Sequence, residues 1–506
     1  MAFEDWITKD VKNVLLVEPN FPIPNKSRNH ANFLPIGLLK IAAYLRNKSI
    51  NIKLVRHDKE NLKQTTLFPK KNQEFKPDLI CVTSIFTYWS KYVKNTVSYY
   101  KSLYKNIPVI VGGIYASLMP EHCKNYTKCD DVILGPIYEA EKLYPAYDLV
   151  DVDYQIVHTS RGCVRQCKFC GTYIIEPEWK CKKSIKKEIK KKKIIFYDNN
   201  LLANPYIKNI LNELIELKQN HEISYVESQS GFDGRILRKH PEIAKMLKKA
   251  GFKNPKIAWD YNLKQAPKIK EQIDLLISGG FKAKEISIFM IYNYDLDYNE
   301  MEKKRVQCAK WGVQITDCRY RPLDQTFDEY SPYKTKGQTN KDYYIHPNWT
   351  DKEIRKFRRN IRRHNICMRH EVDYHSSILE RKKIPQELAQ KYREMDYNEV
   401  KQYLPDAWTP VKSHDLNEKD YFKISDTLTH IKKPEKTQKN QTLLNHDYCP
   451  PKQNIIQINY LTTYNKTNSQ IVENKNKKDN IDECIKYIIN TKQKNEIEIP
   501  YRINAK

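Results

Sequence analysis

Short apolar runs alternate with helix-spaced segments along the first two-thirds of the chain, and this alternation limits the fold more than any other feature. Residues 14–17 form an apolar run that stops at Glu18-Pro19-Asn20, a strand followed by a turn. Residues 34–45 carry apolar side chains at helical spacing, with Pro35 tolerated in the first turn. Residues 50–55 alternate polar and apolar like a half-buried strand, and 79–84 read as a fully buried one. An aromatic-rich amphipathic helix over 88–104 follows. The run 109–111 then stops at Gly112-Gly113, and 131–134 stops at Gly135. Strands alternating with helices predict a parallel, doubly wound sheet, so residues 1–150 read as a Rossmann-like α/β domain. Ligands of such sheets bind beyond the carboxyl ends of the strands.

A second α/β series begins near residue 154. Its strand candidates are 156–159, 194–197, 224–228, 256–260, 286–291 and 313–317, with helices near 183–192, 206–219, 241–250, 266–278 and 299–311. Six βα units predict a partial (βα)6 barrel over 151–325, with strand-end residues lining the site. Residues 326–413 read as a basic, mainly helical extension. Within it, 349–370 form one helix seamed by Ile354, Phe357 and Ile361, and two short helices fall in 380–405. The Lys/Asn-rich stretch 414–506 is expected to be weakly ordered, apart from a short strand at 454–464 and a helix at 480–490.

The formal net charge is +27. Such a surplus fits a polyanionic partner such as nucleic acid. It equally fits solvated surfaces, and the even scatter of the lysines favours the latter. The opening residues are acidic and polar, unlike a secretory signal. No apolar run reaches about 18 residues, so no membrane span is expected. These features predict a cytoplasmic, reducing location, where clustered cysteines point to metal or catalysis rather than disulfides.

Twelve cysteines are unevenly placed, and Cys163, Cys167 and Cys170 stand in the spacing C-x3-C-x2-C within the segment 158–172. Three thiolates on one loop can each hold one iron of a four-iron cluster and leave the fourth iron open for a ligand. Gly162 and Gly171 free the backbone around them, and Phe169 can shield a cluster from water. Structural zinc asks for four ligands in paired C-x2-C form, and no second pair stands nearby.

This loop resembles the signature of the radical S-adenosylmethionine superfamily, with an aromatic residue before the last cysteine; the resemblance covers about 154–323. It implies a [4Fe-4S] cluster on Cys163, Cys167 and Cys170. It also implies that the open iron binds the amino and carboxylate groups of S-adenosylmethionine. Reductive cleavage then gives methionine and a 5′-deoxyadenosyl radical, with an electron donor such as flavodoxin or ferredoxin as partner. By the same resemblance Asp198 and Asn199 stand where the amino group is contacted; a polar turn and helix cap is the plainer reading. Glu227 and Asp260 end the third and fourth strands, where a carboxylate would accept ribose hydroxyls. Arg235 is placed to bind the methionine carboxylate. Each is equally read as a solvent-facing polar residue.

Residues 11–147 look like the cobalamin-binding type of domain that precedes many such enzymes. The resemblance rests on 14–20, 34–39, Pro77-Asp78-Leu79 and Val111-Gly112-Gly113. It implies cobalamin on the strand ends, with Thr83, Ser84, Gly112 and Gly113 as its contacts. The family's Asp-x-His-x-x-Gly pattern is missing; Val55-Arg56-His57-Asp58 stands alone. A scaffold or lid without cobalamin is the alternative. The leading expectation is a radical enzyme that modifies an unactivated carbon, methyl transfer first. The rival is a non-catalytic or redox-sensing Fe–S protein whose basic helix 355–369 grips nucleic acid. The residues do not name a substrate, and Cys318, which ends the sixth strand, reads as a buried, inert thiol more readily than as a hydrogen-atom donor.

Overall fold

Central strand β1 (Asn13–Glu18) is apolar on both faces, which is why it sits inside a sheet rather than at its edge. Leu15 and Val17 pack with Val93 and Val97 of the helix Ser90–Leu103. Val14 and Leu16 pack with Leu38, Ala42 and Leu45 of the helix Ile36–Asn47 on the other side. The remaining strands are β2 (Asn51–Arg56), β3 (Leu79–Ser84), β4 (Val109–Gly113) and β5 (Asp131–Val132). All pair in parallel in the order β2-β1-β3-β4-β5. This is the doubly wound domain expected, with its change of winding direction between β1 and β3. The computed structural model describes residues 2–23, 34–56 and 75–412, all within one compact unit, Met1–Leu428. The tail from 414, with the expected strand at 454–464 and helix at 480–490, lies outside the described residues, as does His57.

The second series starts with β6 (Tyr154–Val157). A small antiparallel hairpin, β7 (Ser160–Arg161) with β8 (Lys180–Cys181), then encloses the cysteine segment. Five more parallel strands follow: β9 (Lys193–Phe196), β10 (Tyr225–Ser228), β11 (Lys256–Ala258), β12 (Ser287–Tyr292) and β13 (Gln314–Arg319). They form two three-stranded sheets, β10-β9-β6 and β11-β12-β13. Single bridges at Val226–Phe252 and Phe232–Ile257 connect them, so the six expected strands are present but not as one continuous sheet. Val157, Ile194, Phe196, Val226, Ile257, Ile288 and Ile315 share one core with the apolar faces of Ile207–Gln219, Glu242–Lys249, Ala266–Ser278 and Tyr298–Lys310. The opposite face of β6 meets the first domain, where Ile156 packs with Leu34, Leu39 and Tyr147.

The helix expected near 183–192 is reduced to a single 3-10 turn, Lys186–Glu188. Only Ile185 and Ile189 there are apolar, and the lysines at i and i+4 repel one another. Neighbouring side chains take the backbone groups instead. Gln155 Nε2 donates to Glu188 O and its Oε1 accepts from Lys190 N, while Glu213 accepts from Ile185 N and Lys186 N.

The basic helix runs Asp351–His370, opened by a Thr350–Glu353 capping box. Beyond the Ile354, Phe357 and Ile361 seam it uses polar side chains to dress the edge strand β13. Asn365 Oδ1 accepts from Ile315 N, its Nδ2 donates to Ile315 O, and His364 Nε2 donates to Val313 O. Of its arginines Arg363 is buried, while Arg358 and Arg362 are exposed, and several make contacts within the fold. Arg355 pairs with Asp351, Arg358 lies over the Tyr330 ring, Arg363 is buried over Trp408, and Arg369 reaches Gln314.

Burial, with Arg305 nearby, holds His364 down at about 3, and burial beside Arg363 holds His375 at about 4. Both are neutral when folded, whereas the unfolded chain takes up a proton near 6.5. The unfolded state therefore binds more protons below that pH. The contribution is complete above about 6.5 and is lost as pH falls toward the folded values. Between pH 6.5 and 5 this costs about 2 kcal/mol for each histidine. Urea unfolding is expected to show the midpoint falling over that range, and falling less steeply in His364→Gln. Equal slopes for the two proteins would contradict it.

Candidate cluster and cofactor site

The cysteine loop is anchored at its start by a carboxylate beneath it. Asp198, one residue past Tyr197 at the end of β9, is only 1% exposed. Its Oδ1 accepts from Thr159 N (3.0 Å), Thr159 Oγ1 (2.6 Å), Ser160 N (2.7 Å) and Ser160 Oγ (2.8 Å), and Oδ2 also lies 3.0 Å from Thr159 N. Burial pushes this carboxyl up, against the donors that pull it down. At the next residue pair, Gly162 has φ +78°, and a Cβ there would lie 2.4 Å from Glu178 O. Only glycine tolerates that turn. Its N–H donates to Glu176 Oε2 at 2.6 Å.

Between the first two cysteines, Arg165 forms a fork with Asp233, at 3.1–3.2 Å from both oxygens. Asp233 also accepts from Arg235, caps the helix Gly234–Lys239, and stands 3.4 Å from Asn200 Nδ2. Arg165 N donates to Cys163 Sγ at 3.4 Å, and the Cys170 thiol donates to Thr172 Oγ1 at 3.1 Å. All three thiols are free and half-buried. Burial raises the Cys167 thiol, Asp260 and the thiols of Cys170 and Cys163 add to the shift, and Arg165 opposes it. Among the described residues no three His, Cys, Asp or Glu side chains are gathered to hold a single metal ion. Phe169 meets Tyr294 edge-on at 6.0 Å, and Tyr294 in turn packs on Tyr320 at 4.5 Å, forming an aromatic wall beside the loop.

The carboxyl edge of the first sheet lies against this loop. A Cβ at Gly171 would meet Leu118 at 2.9 Å, and one at Gly135 would meet Ile175 O at 3.1 Å. Gly113, at φ +102°, leaves no room for a side chain, since a Cβ would fall 2.1 Å from Ser84 O. Ser84 is buried, donates to Gly112 O and accepts from Ala116 N, so its hydroxyl fastens β3 to β4 rather than facing a ligand. Thr83 and Gly112 are half-buried at the same edge.

The other expected site residues divide. Asp260 is half-buried just past β11, and burial raises its carboxyl. Arg235 is held by Asp233 but its side chain is 62% exposed, leaving it able to meet an anion. Asn199 is exposed beside Thr172. Glu227 is already paired, 2.7 Å from Lys256 Nζ and hydrogen-bonded to Tyr225 OH, while Asp198 is enclosed by Thr159 and Ser160. Both depart from the ligand-contact expectation because their oxygens already have protein partners. Cys318, read as buried, is exposed. Protein crowds it all the same and, with Asp317 beside it, pushes the thiol up to about 12. Arg165, Glu176 and Asp233 were not expected. Only Asp233 had a sequence signal, as a capping residue before Gly234.

Residues 30–143 match the family model of the B12 binding domain. No curated protein matches the chain. Among solved structures it is similar to the radical S-adenosylmethionine methyltransferase TsrM from Kitasatospora setae. With tryptophan substrate and a S-adenosylmethionine analogue bound, that enzyme is 13% identical, at a TM-score of 0.48 over 62% of this chain and 75% of that one. With cobalamin and a [4Fe-4S] cluster bound, it is 12% identical, at 0.48 over 62% and 77%. A cobalamin-binding protein from Desulfitobacterium hafniense DCB-2 is 12% identical, at 0.16 over 24% of this chain and 52% of that one. The family match falls on the doubly wound sheet whose carboxyl edge meets the cysteine loop, and residues 30–143 are therefore a B12-binding-type domain.

Proposed function

We propose that the chain is a radical S-adenosylmethionine enzyme that uses cobalamin, with methyl transfer to an unactivated carbon as its reaction. The observation that carries this is the meeting of two parts. Three free thiols share one anchored loop, and that loop lies against the strand ends of a B12-binding-type domain, through Leu118 with Gly171 and Gly135 with Ile175. The domain limits expected from the sequence, 1–150, 151–325, 326–413 and 414–506, are kept as the organisation of this enzyme.

Cys163, Cys167 and Cys170 would hold a [4Fe-4S] cluster, which would supply the electron for cleaving S-adenosylmethionine, and cobalamin would supply a carrier for the methyl group. The chain's own residues bind and orient. Arg235, steadied by Asp233, offers its exposed guanidinium to the methionine carboxylate. Asn199 and Asp260 border the thiols on two sides, placed for the amino group and the ribose. Phe169, Tyr294 and Tyr320 keep water from the sulfurs. Thr83, Gly112 and Gly113, at the carboxyl edge of the first sheet, would contact cobalamin there. An electron donor such as flavodoxin or ferredoxin is the partner this reading calls for, with a cytoplasmic site of action. The described residues hold no helix long and apolar enough to cross a membrane. The rival nucleic-acid reading has less support, because the thiol loop lies against a B12-binding-type domain.

The test is anaerobic reconstitution with iron and sulfide, addition of hydroxocobalamin, and reduction in the presence of S-adenosylmethionine. Wild type is expected to release 5′-deoxyadenosine and to retain cobalamin stoichiometrically through gel filtration. A fully clustered protein that consumes no S-adenosylmethionine would sink the proposal.

A further inference from the structure

Glu176 follows the three cysteines and returns to the start of their loop. Its Oε2 accepts from Gly162 N and stands 3.4 Å from Asn199 Nδ2, while its Oε1 lies 2.6 Å from Arg161 Nη2. One carboxylate thus ties residue 162 to residue 176 and closes the segment between them at its base. Arg161 carries the connection outward. Its Nε is 3.8 Å from Glu141 Oε2, and the same oxygen is 2.5 Å from Lys40 Nζ. Lys40 belongs to Ile36–Asn47 and Glu141 ends Tyr138–Glu141, both in the amino-terminal domain.

The side chains of Lys40 and Glu176 are 7% and 10% exposed, so the alternating charges Lys40, Glu141, Arg161 and Glu176 are poorly screened. Removing one member leaves its neighbour as an uncompensated, partly buried charge. His158 lies buried among the positive members, and burial together with Lys40 and Arg161 keeps it neutral. It therefore adds no further charge to the chain.

We infer that Glu176 is a positioning residue that closes the thiol loop and registers it to the amino-terminal domain, through Arg161 and Glu141 to Lys40. Its functional meaning rests on reading the loop as the ligand set of a cluster. Loop closure itself is a property of the metal-free protein and is measurable there. Glutamine at 176 separates the two halves of the role. It can still accept from Gly162 N, but it carries no charge to hold Arg161.

The test uses the full chain without iron. Iodoacetamide labelling of Cys163, Cys167 and Cys170 is followed by mass spectrometry, with hydrogen exchange read at Gly162. Glu176→Ala is expected to speed labelling of the three thiols and exchange at Gly162 by about tenfold, the loss of one charge-assisted bond. Glu176→Gln is expected to speed labelling less, because it keeps the Gly162 bond. Lys40→Met, outside the loop, is expected to speed labelling severalfold. The Lys40→Met/Glu176→Ala double variant should react no faster than Glu176→Ala alone, since both act through one chain of contacts. Circular dichroism confirms that each variant is folded. Loop thiols in Lys40→Met that react as in wild type, or single effects that multiply in the double variant, would overturn the inference. Failure of wild type to cleave S-adenosylmethionine would instead overturn the enzymatic reading and leave these rates unaffected.

Discussion

Alanine at Cys163, Cys167 or Cys170 is expected to lower 5′-deoxyadenosine formation at least about a thousandfold, equivalent to about 4 kcal/mol of lost barrier reduction. Among the described residues no other thiol is placed to substitute for these three. Among the described cysteines, Cys81, Cys123, Cys129, Cys308 and Cys367 are buried elsewhere in the cores. Cys181 lies on β8, paired across to Ser160. Cys318 is exposed, but its thiol holds its proton to about 12, which makes it a poor thiolate at neutral pH. Iron content and the absorbance of the reconstituted protein should fall in parallel with product. A Cys129→Ala control in the amino-terminal domain should retain both. Any single variant of the triad that keeps a four-iron cluster and wild-type turnover would remove that cysteine from the ligand set.

A comparably large effect is expected on stability from Asp198→Ala. The substitution leaves the Thr159 and Ser160 amides and hydroxyls without an acceptor in a site closed to water. Unsatisfied buried donors of this kind cost about 1–3 kcal/mol each, and partial relaxation brings the sum to about 3–5 kcal/mol. Asp198→Asn keeps the shape and one acceptor oxygen but turns an amino group toward the donors, so a smaller loss is expected. Urea unfolding midpoints measure both. A midpoint unchanged in Asp198→Ala would mean that the carboxylate does not anchor the loop. If instead Asp198 served only the ligand, stability would hold and the KM for S-adenosylmethionine would rise.

The contrast between Asp198 and the cysteines explains what was legible beforehand. A C-x3-C-x2-C spacing is local, so the thiols share a loop whatever surrounds them. A strand-end carboxylate is different. Whether it faces a ligand or the protein depends on what lies across from it, and Asp198 meets Thr159 and Ser160, 39 and 38 residues earlier. Glu227 is a second case, since its partner Lys256 stands one strand over, 29 residues later. Arg235 kept a free face only because Asp233 anchors it from one side. The lysine-rich stretch 183–192 failed as a helix for a related reason, since Gln155 and Glu213 capture its backbone from other elements.

The order of strands and helices, the doubly wound first sheet and the position of the thiol loop were determined by the sequence alone. Apolar periodicity and motif spacing act over a few residues, and they survive any rearrangement of distant parts. The tertiary structure decided which charges remain free. It buried Arg363 over Trp408, enclosed Asp198 and Glu227, and joined Lys40 to the cysteine loop through Glu141 and Arg161. A charged side chain takes its role from the group that meets it in space, and for these residues that group lies far away along the chain.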